Sequence, residues 1–208
     1  MMTVTLIGDS IRMGYEDIVR RHLAGRADVR GPAENGGTSQ NVLAHLDDWV
    51  LSLNPDVVHV NCGLHDLRRE FGQAESAIPL KQYVTNVRTI ITRLRSETRA
   101  TVVWASTTPV NEEWHHRNKP FDRLEADVVA YNSAAGQVAR DLGVPVNDLF
   151  AVVQQAGRDA LLQPDGVHFT AAGYQLIGER VSRFIIELLD KNARPPPARP
   201  AQKKSDQT

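Results

Sequence analysis

Thr3-Val4-Thr5-Leu6-Ile7-Gly8-Asp9-Ser10 is the stretch on which the fold turns. Its first five residues are apolar or β-branched, the composition of a buried strand, and Gly8 ends the run. A helix pattern through Tyr15 to Leu23 follows at once, so the stretch is a strand-to-helix turn with Ser10 on it. Similar short runs stand at Ala27–Arg30, Asp56–Val60, Thr101–Ala105 and Val144–Val146. Helical spacing fills the intervals. Val42, Leu46, Trp49 and Val50 share a face, as do Tyr83, Val87, Ile90, Ile91 and Leu94. Val128, Tyr131, Ala135, Val138 and Leu142 repeat the pattern, and so do Leu176, Ile177, Val181, Phe184, Ile185 and Leu188. Strands alternating with helices of this length predict βαβ units: a three-layer α/β/α fold with a five-stranded parallel sheet, flavodoxin-like in type.

In such a sheet ligands bind beyond the carboxyl ends of the strands. Ser10 falls there after the first strand, residues 61–66 after the third, and residues 106–111 after the fourth. Asn147 and Asp148 follow the fifth, where capping a helix from Leu149 is an equally good use for them. Pro109–Pro120, with Trp114, His115, His116 and Arg117, is expected to be a loop overhanging these ends. The folded domain is expected to span residues 1–190. The Pro-rich polar stretch 191–208 lacks the apolar residues to order itself and is expected to be a disordered tail.

Composition excludes several classes of function. The chain has 208 residues with a net charge of -1, so it offers no bulk attraction to nucleic acid or an anionic membrane. No apolar run approaches the ~20 residues that cross a bilayer, so no membrane insertion is expected. Met1 to Ile7 has no basic leader and already reads as a core strand, from which a cytoplasmic location is expected. The single cysteine, Cys62, allows no intramolecular disulfide and reads as a small buried side chain. His115 and His116 are adjacent rather than at ligand spacing, with no acidic or cysteine cluster beside them, so no metal is expected.

Two segments carry possible chemistry. A serine hydroxyl needs a base before it attacks; without one, Asp9 and Ser10 only cap the first helix. Asp165-Gly166-Val167-His168 supplies a candidate base, since a turn loosened at Gly166 lets the aspartate fold back onto the ring three residues on. Thr170 then caps the next helix and fixes the loop. A third segment, Asn35-Gly36-Gly37-Thr38-Ser39, presents backbone N–H groups ahead of a helix. Arg12, two residues past Ser10, is a candidate contact for an anionic or carbohydrate substrate, and Trp114 another contact from the overhang.

Together these segments resemble the SGNH (GDSL-type) hydrolase superfamily. Gly8-Asp9-Ser10 is similar to its first block, Gly36 (or Gly37) to its glycine block, and Asp165 with His168 to its last. The resemblance implies a serine esterase that needs no metal or organic cofactor and acts on a small-molecule ester. Ser10 is then the nucleophile, His168 the base and Asp165 its orienting acid. The Ser10 and Gly36 N–H groups hold the oxyanion. One block departs from the family. Asn61-Cys62-Gly63-Leu64-His65-Asp66 carries His65 where an oxyanion-binding asparagine is usual. Either His65 replaces that donor, steadied by a partner on its other nitrogen, or Asn61 reaches inward instead. The substrate is expected to carry a short acyl or acetyl group, on a carbohydrate or another alcohol. Two rivals remain: a catalytically silent ligand- or glycan-binding module, and a nucleotide or response-regulator domain. The second lacks a Gly-rich phosphate loop and leaves Asp165 and His168 without a role.

Overall fold

The Thr3–Ile7 run lies inside the observed sheet. The computed structural model describes residues 1–193. It opens with β1 (Met2–Ile7), α1 (Ser10–His22), β2 (Ala27–Arg30), α2 (Ser39–Ala44), α3 (Leu46–Trp49) and β3 (Val57–Val60). It continues through β4 (Arg69–Glu70), α4 (Leu80–Glu97), β5 (Thr101–Ala105), α5 (Glu112–Asn118), β6 (Phe121–Asp122) and α6 (Glu125–Asp141). The last elements are β7 (Val146–Asn147), α7 (Leu149–Gln155), α8 (Arg158–Leu161) and α9 (Ala171–Ala193). α9 therefore runs through positions 191–193, which the sequence reading placed in the tail; the rest of that tail lies outside the described residues.

Five strands form one parallel sheet in the order β2-β1-β3-β5-β7. The order reverses between β1 and β3, the switch point at which such folds open a crevice. Val57, Val58 and Val60 of β3 are fully buried, as expected for a strand covered on both faces. α1 packs against α9 and α9 against α7, while α4 packs against α2 and α6, so helices flank the sheet on both sides. The fold is the expected α/β/α sandwich.

Four local expectations change. The Val42–Val50 face is right, with Val42, Leu46 and Val50 buried, but the helix breaks at His45. The final strand is Val146–Asn147 rather than Val144–Val146. Pro145 has no N–H to give a ladder, so regular pairing starts only at Val146. The 109–120 overhang contains a helix, α5, capped by the Asn111 side chain accepting from the Trp114 N–H at 3.0 Å. The fourth change is an antiparallel ribbon, β4 paired with β6, that the sequence reading did not foresee. Arg69 of β4 pairs with Asp127 at 2.6 Å beside this ribbon.

Candidate active site

Ser10 is presented by a turn with little freedom. Asp9 is buried and its Oδ1 accepts from the Ile11 N–H at 2.9 Å, which caps α1 and starts the helix at Ser10. At that position the Ser10 N–H has no intrahelical acceptor. The Ser10 hydroxyl lies 2.9 Å from His168 Nε2. The cap is thus Asp9, and the serine beside it meets the histidine.

His168 is held by the turn that precedes it. Asp165 Oδ2 lies 2.6 Å from His168 Nδ1, and Asp165 Oδ1 accepts from the N–H groups of Val167 (3.1 Å) and His168 (2.9 Å). Because an ionised carboxylate only accepts, Nδ1 carries the proton and Nε2 is left to accept from Ser10. Burial pushes the Asp165 carboxyl up, but the His168 ring and the two backbone donors outweigh it and hold the group well below the usual carboxylate range. The Lys119 ammonium adds a contact at 3.3 Å. Gly166 adopts φ 72°, and a Cβ there would come within 2.4 Å of the Asn111 carbonyl, so the turn requires glycine. Behind it His115, fully buried, donates from Nδ1 to the Asp165 carbonyl at 3.1 Å. The Thr170 hydroxyl accepts from Gly173 N–H at 3.3 Å, the expected cap at the start of α9.

The oxyanion side departs from expectation. The Gly36 N–H donates to the Gly8 carbonyl at 3.0 Å, and the Gly37 N–H to Asn35 Oδ1 at 2.9 Å. Gly36 therefore ties its loop to the Ser10 turn, so close that a Cβ would sit 2.7 Å from the Gly8 oxygen. Asn61 does not reach inward; its amide donates to the Ala105 carbonyl at 2.9 Å and joins the ends of β3 and β5. His65 lines the cavity beside Ser10. Burial lowers its pKa, with help from Arg123 and Arg68 against the opposing pull of Asp9, so the ring is neutral at pH 7. It makes no hydrogen bond to any other described residue, so the expected partner on its second nitrogen is absent there.

Arg12 faces inward instead of towards a substrate. It is buried, pairs with Glu16, and donates from Nη2 to the carbonyls of Pro32 and Glu34 at 2.9 Å each. It pins the loop that brings Gly36 to Gly8. Trp114 lines a different hollow of about 520 Å³ with Arg117, Asn118, Leu162 and Pro164. The cavity that holds Ser10 and His168 measures about 250 Å³. Its lining also includes Asp9, Asn35, Leu64, Lys119, Phe121, Arg123 and Val167. Phe121 and Arg123 are there because the β4–β6 ribbon folds over the site. Sequence reading missed them, since two-residue strands carry no periodicity. Burial pushes the lone Cys62 thiol up, so it offers no competing nucleophile. Among the described residues, no three His, Cys, Asp or Glu side chains are disposed to ligate a metal.

Known proteins share this arrangement of strands and helices. Residues 6–176 match the model of the GDSL-like Lipase/Acylhydrolase family. The isoamyl acetate-hydrolyzing esterase 1 homolog of Mus musculus is 29% identical over 192 residues, covering 84% of this chain and 77% of its own. A lipase/acylhydrolase from Enterococcus faecalis superposes with a TM-score of 0.76 at 26% identity, over 90% of this chain and 97% of its own. The acetyl xylan esterase AlAXEase shares the fold, with a TM-score of 0.72 at 20% identity over 88% of this chain and 100% of its own. The chain belongs to the GDSL-like lipase/acylhydrolase family and is a carboxylic ester hydrolase.

Proposed function

We propose that the chain hydrolyses short-chain carboxylic esters through an acyl-enzyme on Ser10. The observation that carries this reading is the unbroken Ser10–His168–Asp165 relay, with contacts of 2.9 and 2.6 Å. Ser10 Oγ attacks the acyl carbon while its proton passes to His168 Nε2. The tetrahedral adduct collapses, and the leaving alcohol takes that proton. Water then repeats the sequence on the acyl-enzyme and frees the acid. Asp165 keeps the imidazole in the required tautomer and stabilises the imidazolium. The Ser10 N–H and the neutral His65 ring each offer the oxyanion one donor. Gly36, spent on Gly8, maintains the turn.

The cavity supports a small acyl group. About 250 Å³ lies below the ~300–1,000 Å³ usual for larger ligands and suits an acetyl or similarly short acyl group. The mouse relative, named for hydrolysis of an acetate ester, supports the same choice. Ser10→Ala should abolish turnover of p-nitrophenyl acetate, and a serine-directed fluorophosphonate should label the wild type alone. Retained activity in that variant would remove the mechanism, and an unlabelled wild type would favour a silent binding module. Across p-nitrophenyl esters, kcat/KM should fall beyond about four carbons. A preference for eight or more would overturn the short-acyl assignment.

A further inference from the structure

Arg123 is a buried cation without an anion. It is 6% exposed, and its Nε donates to the Leu64 carbonyl at 2.6 Å. No carboxylate among the described residues stands within ion-pairing distance of it. Its two terminal nitrogens make no hydrogen bond to any described residue, and the side chain lines the cavity shared by Ser10, His65 and His168. The guanidinium carbon lies 5.0 Å from the centre of the Phe121 ring, whose other close cation is Arg68 at 4.0 Å. Burial pulls its pKa down to about 10, with Asp9 acting against the fall, so the group remains charged at pH 7. Burying a charge unpaired is costly, and such a group is kept in place by the ribbon and by its bond to the residue preceding His65.

Building on the serine-esterase reading, we infer that Arg123 is a catalytic residue whose terminal N–H groups bind the oxyanion of the tetrahedral intermediate. Three observations lead there. The Gly36 N–H is committed to Gly8, which leaves the Ser10 N–H and the single N–H of His65 and makes the hole one donor shorter than the sequence implied. Arg123 offers a planar fork whose aim is fixed by Leu64 and Phe121 before substrate arrives, the preorganisation that makes oxyanion donors effective. A permanent anion on the substrate is a poorer fit for the same nitrogens. Lys119 is already engaged with Asp165, and Asp9, whose buried Oδ2 has no hydrogen-bond partner, lines the same cavity and would repel it. The oxyanion meets the same Asp9 charge only for the lifetime of the tetrahedral intermediate, and the Ser10 N–H and His65 share it there with Arg123.

The test uses a neutral ester, p-nitrophenyl acetate, beside its carboxylate-bearing counterpart, p-nitrophenyl hemisuccinate. Arg123→Met should lower kcat on the neutral ester by ~10²–10³ with KM changed less than about threefold. Arg123→Lys should fall between that variant and the wild type. Millimolar guanidinium should restore part of the activity of Arg123→Ala in a saturable way, which a merely structural role would not allow. A kcat within threefold of wild type in Arg123→Met overturns the assignment. So does a loss confined to the hemisuccinate and seen in KM, or a loss that guanidinium leaves untouched. If Arg123→Met does not fold, Arg123→Lys decides: its trifluoromethyl ketone adduct, followed by ¹⁹F resonance, should ionise higher than the wild-type adduct, and an unchanged value overturns the inference. Activity surviving in Ser10→Ala would instead sink the serine mechanism, whatever Arg123 does.

Discussion

Asp165 shows how much one carboxylate governs here. Its Oδ2 fixes the His168 ring while its Oδ1 closes the turn on two N–H groups, so orientation and charge come from one side chain. Asp165→Asn keeps the shape but presents an amide to Nδ1. The resulting tautomer error should cost ~10³–10⁴ in kcat on p-nitrophenyl acetate with little change in thermal stability. A loss below tenfold would mean that His168 is oriented by other contacts. His65→Ala should lower kcat by ~10²–10³ and His65→Asn should recover much of it; near-normal turnover in the alanine variant would exclude a donor role. Ser10, Asp165 and His168 were legible because each stands where a strand or a turn meets a helix. Arg12 was misread for want of one comparison. Glu16 four residues on marks an i,i+4 pair, and that pair turns the guanidinium inward.

The α1–α9 seam sets the distance between Ser10 and His168, since Ser10 opens one helix and His168 precedes the other. Two glycines let the helices approach. A Cβ on Gly178 would come within 2.6 Å of the Ile18 side chain, and one on Gly14 within 2.2 Å of the Tyr174 ring. In an unencumbered helix interior, Gly→Ala gains about 1 kcal/mol. Here overpacking of ~1–3 kcal/mol opposes it. Gly178→Ala should therefore lower both the urea midpoint and kcat; a stabilised, fully active variant would show that the seam is slack. The long helices and central strands were legible because each buries a face that repeats several times. α5 was hidden by its brevity, although Asn111-Glu112-Glu113 at one end and His115-His116-Arg117 at the other are the caps and charges of a helix. The β4–β6 ribbon left no such trace, and with it went Phe121 and Arg123.

Across the whole molecule, β3, β7 and α9 meet at a buried polar chain. The Asn147 amide donates to His59 Nε2 at 3.1 Å, and its oxygen accepts from Arg180 Nε at 3.0 Å. Burial lowers the His59 pKa from 6.5 to about 4, with a backbone hydrogen bond opposing the fall. Below pH 6.5 the unfolded chain protonates this ring while the folded chain does not, so stability is full above 6.5 and is lost as pH falls towards 4. The loss from this one group is on the order of 3 kcal/mol. Urea unfolding at stepped pH should show that decline, and His59→Asn should flatten it; an unchanged slope would assign the decline to other groups. The α/β/α class was legible from the alternation of elements, but this chain was not, because His59 and Asn147 are 88 residues apart in the sequence. A wider separation has the larger consequence. Ser10 and His168 are 158 positions apart, so the relay exists only once the last helix has docked on the first. On the serine mechanism proposed above, a chain whose last helix has not docked should be inert towards esters, and in refolding turnover should return no earlier than the packing of α9 on α1.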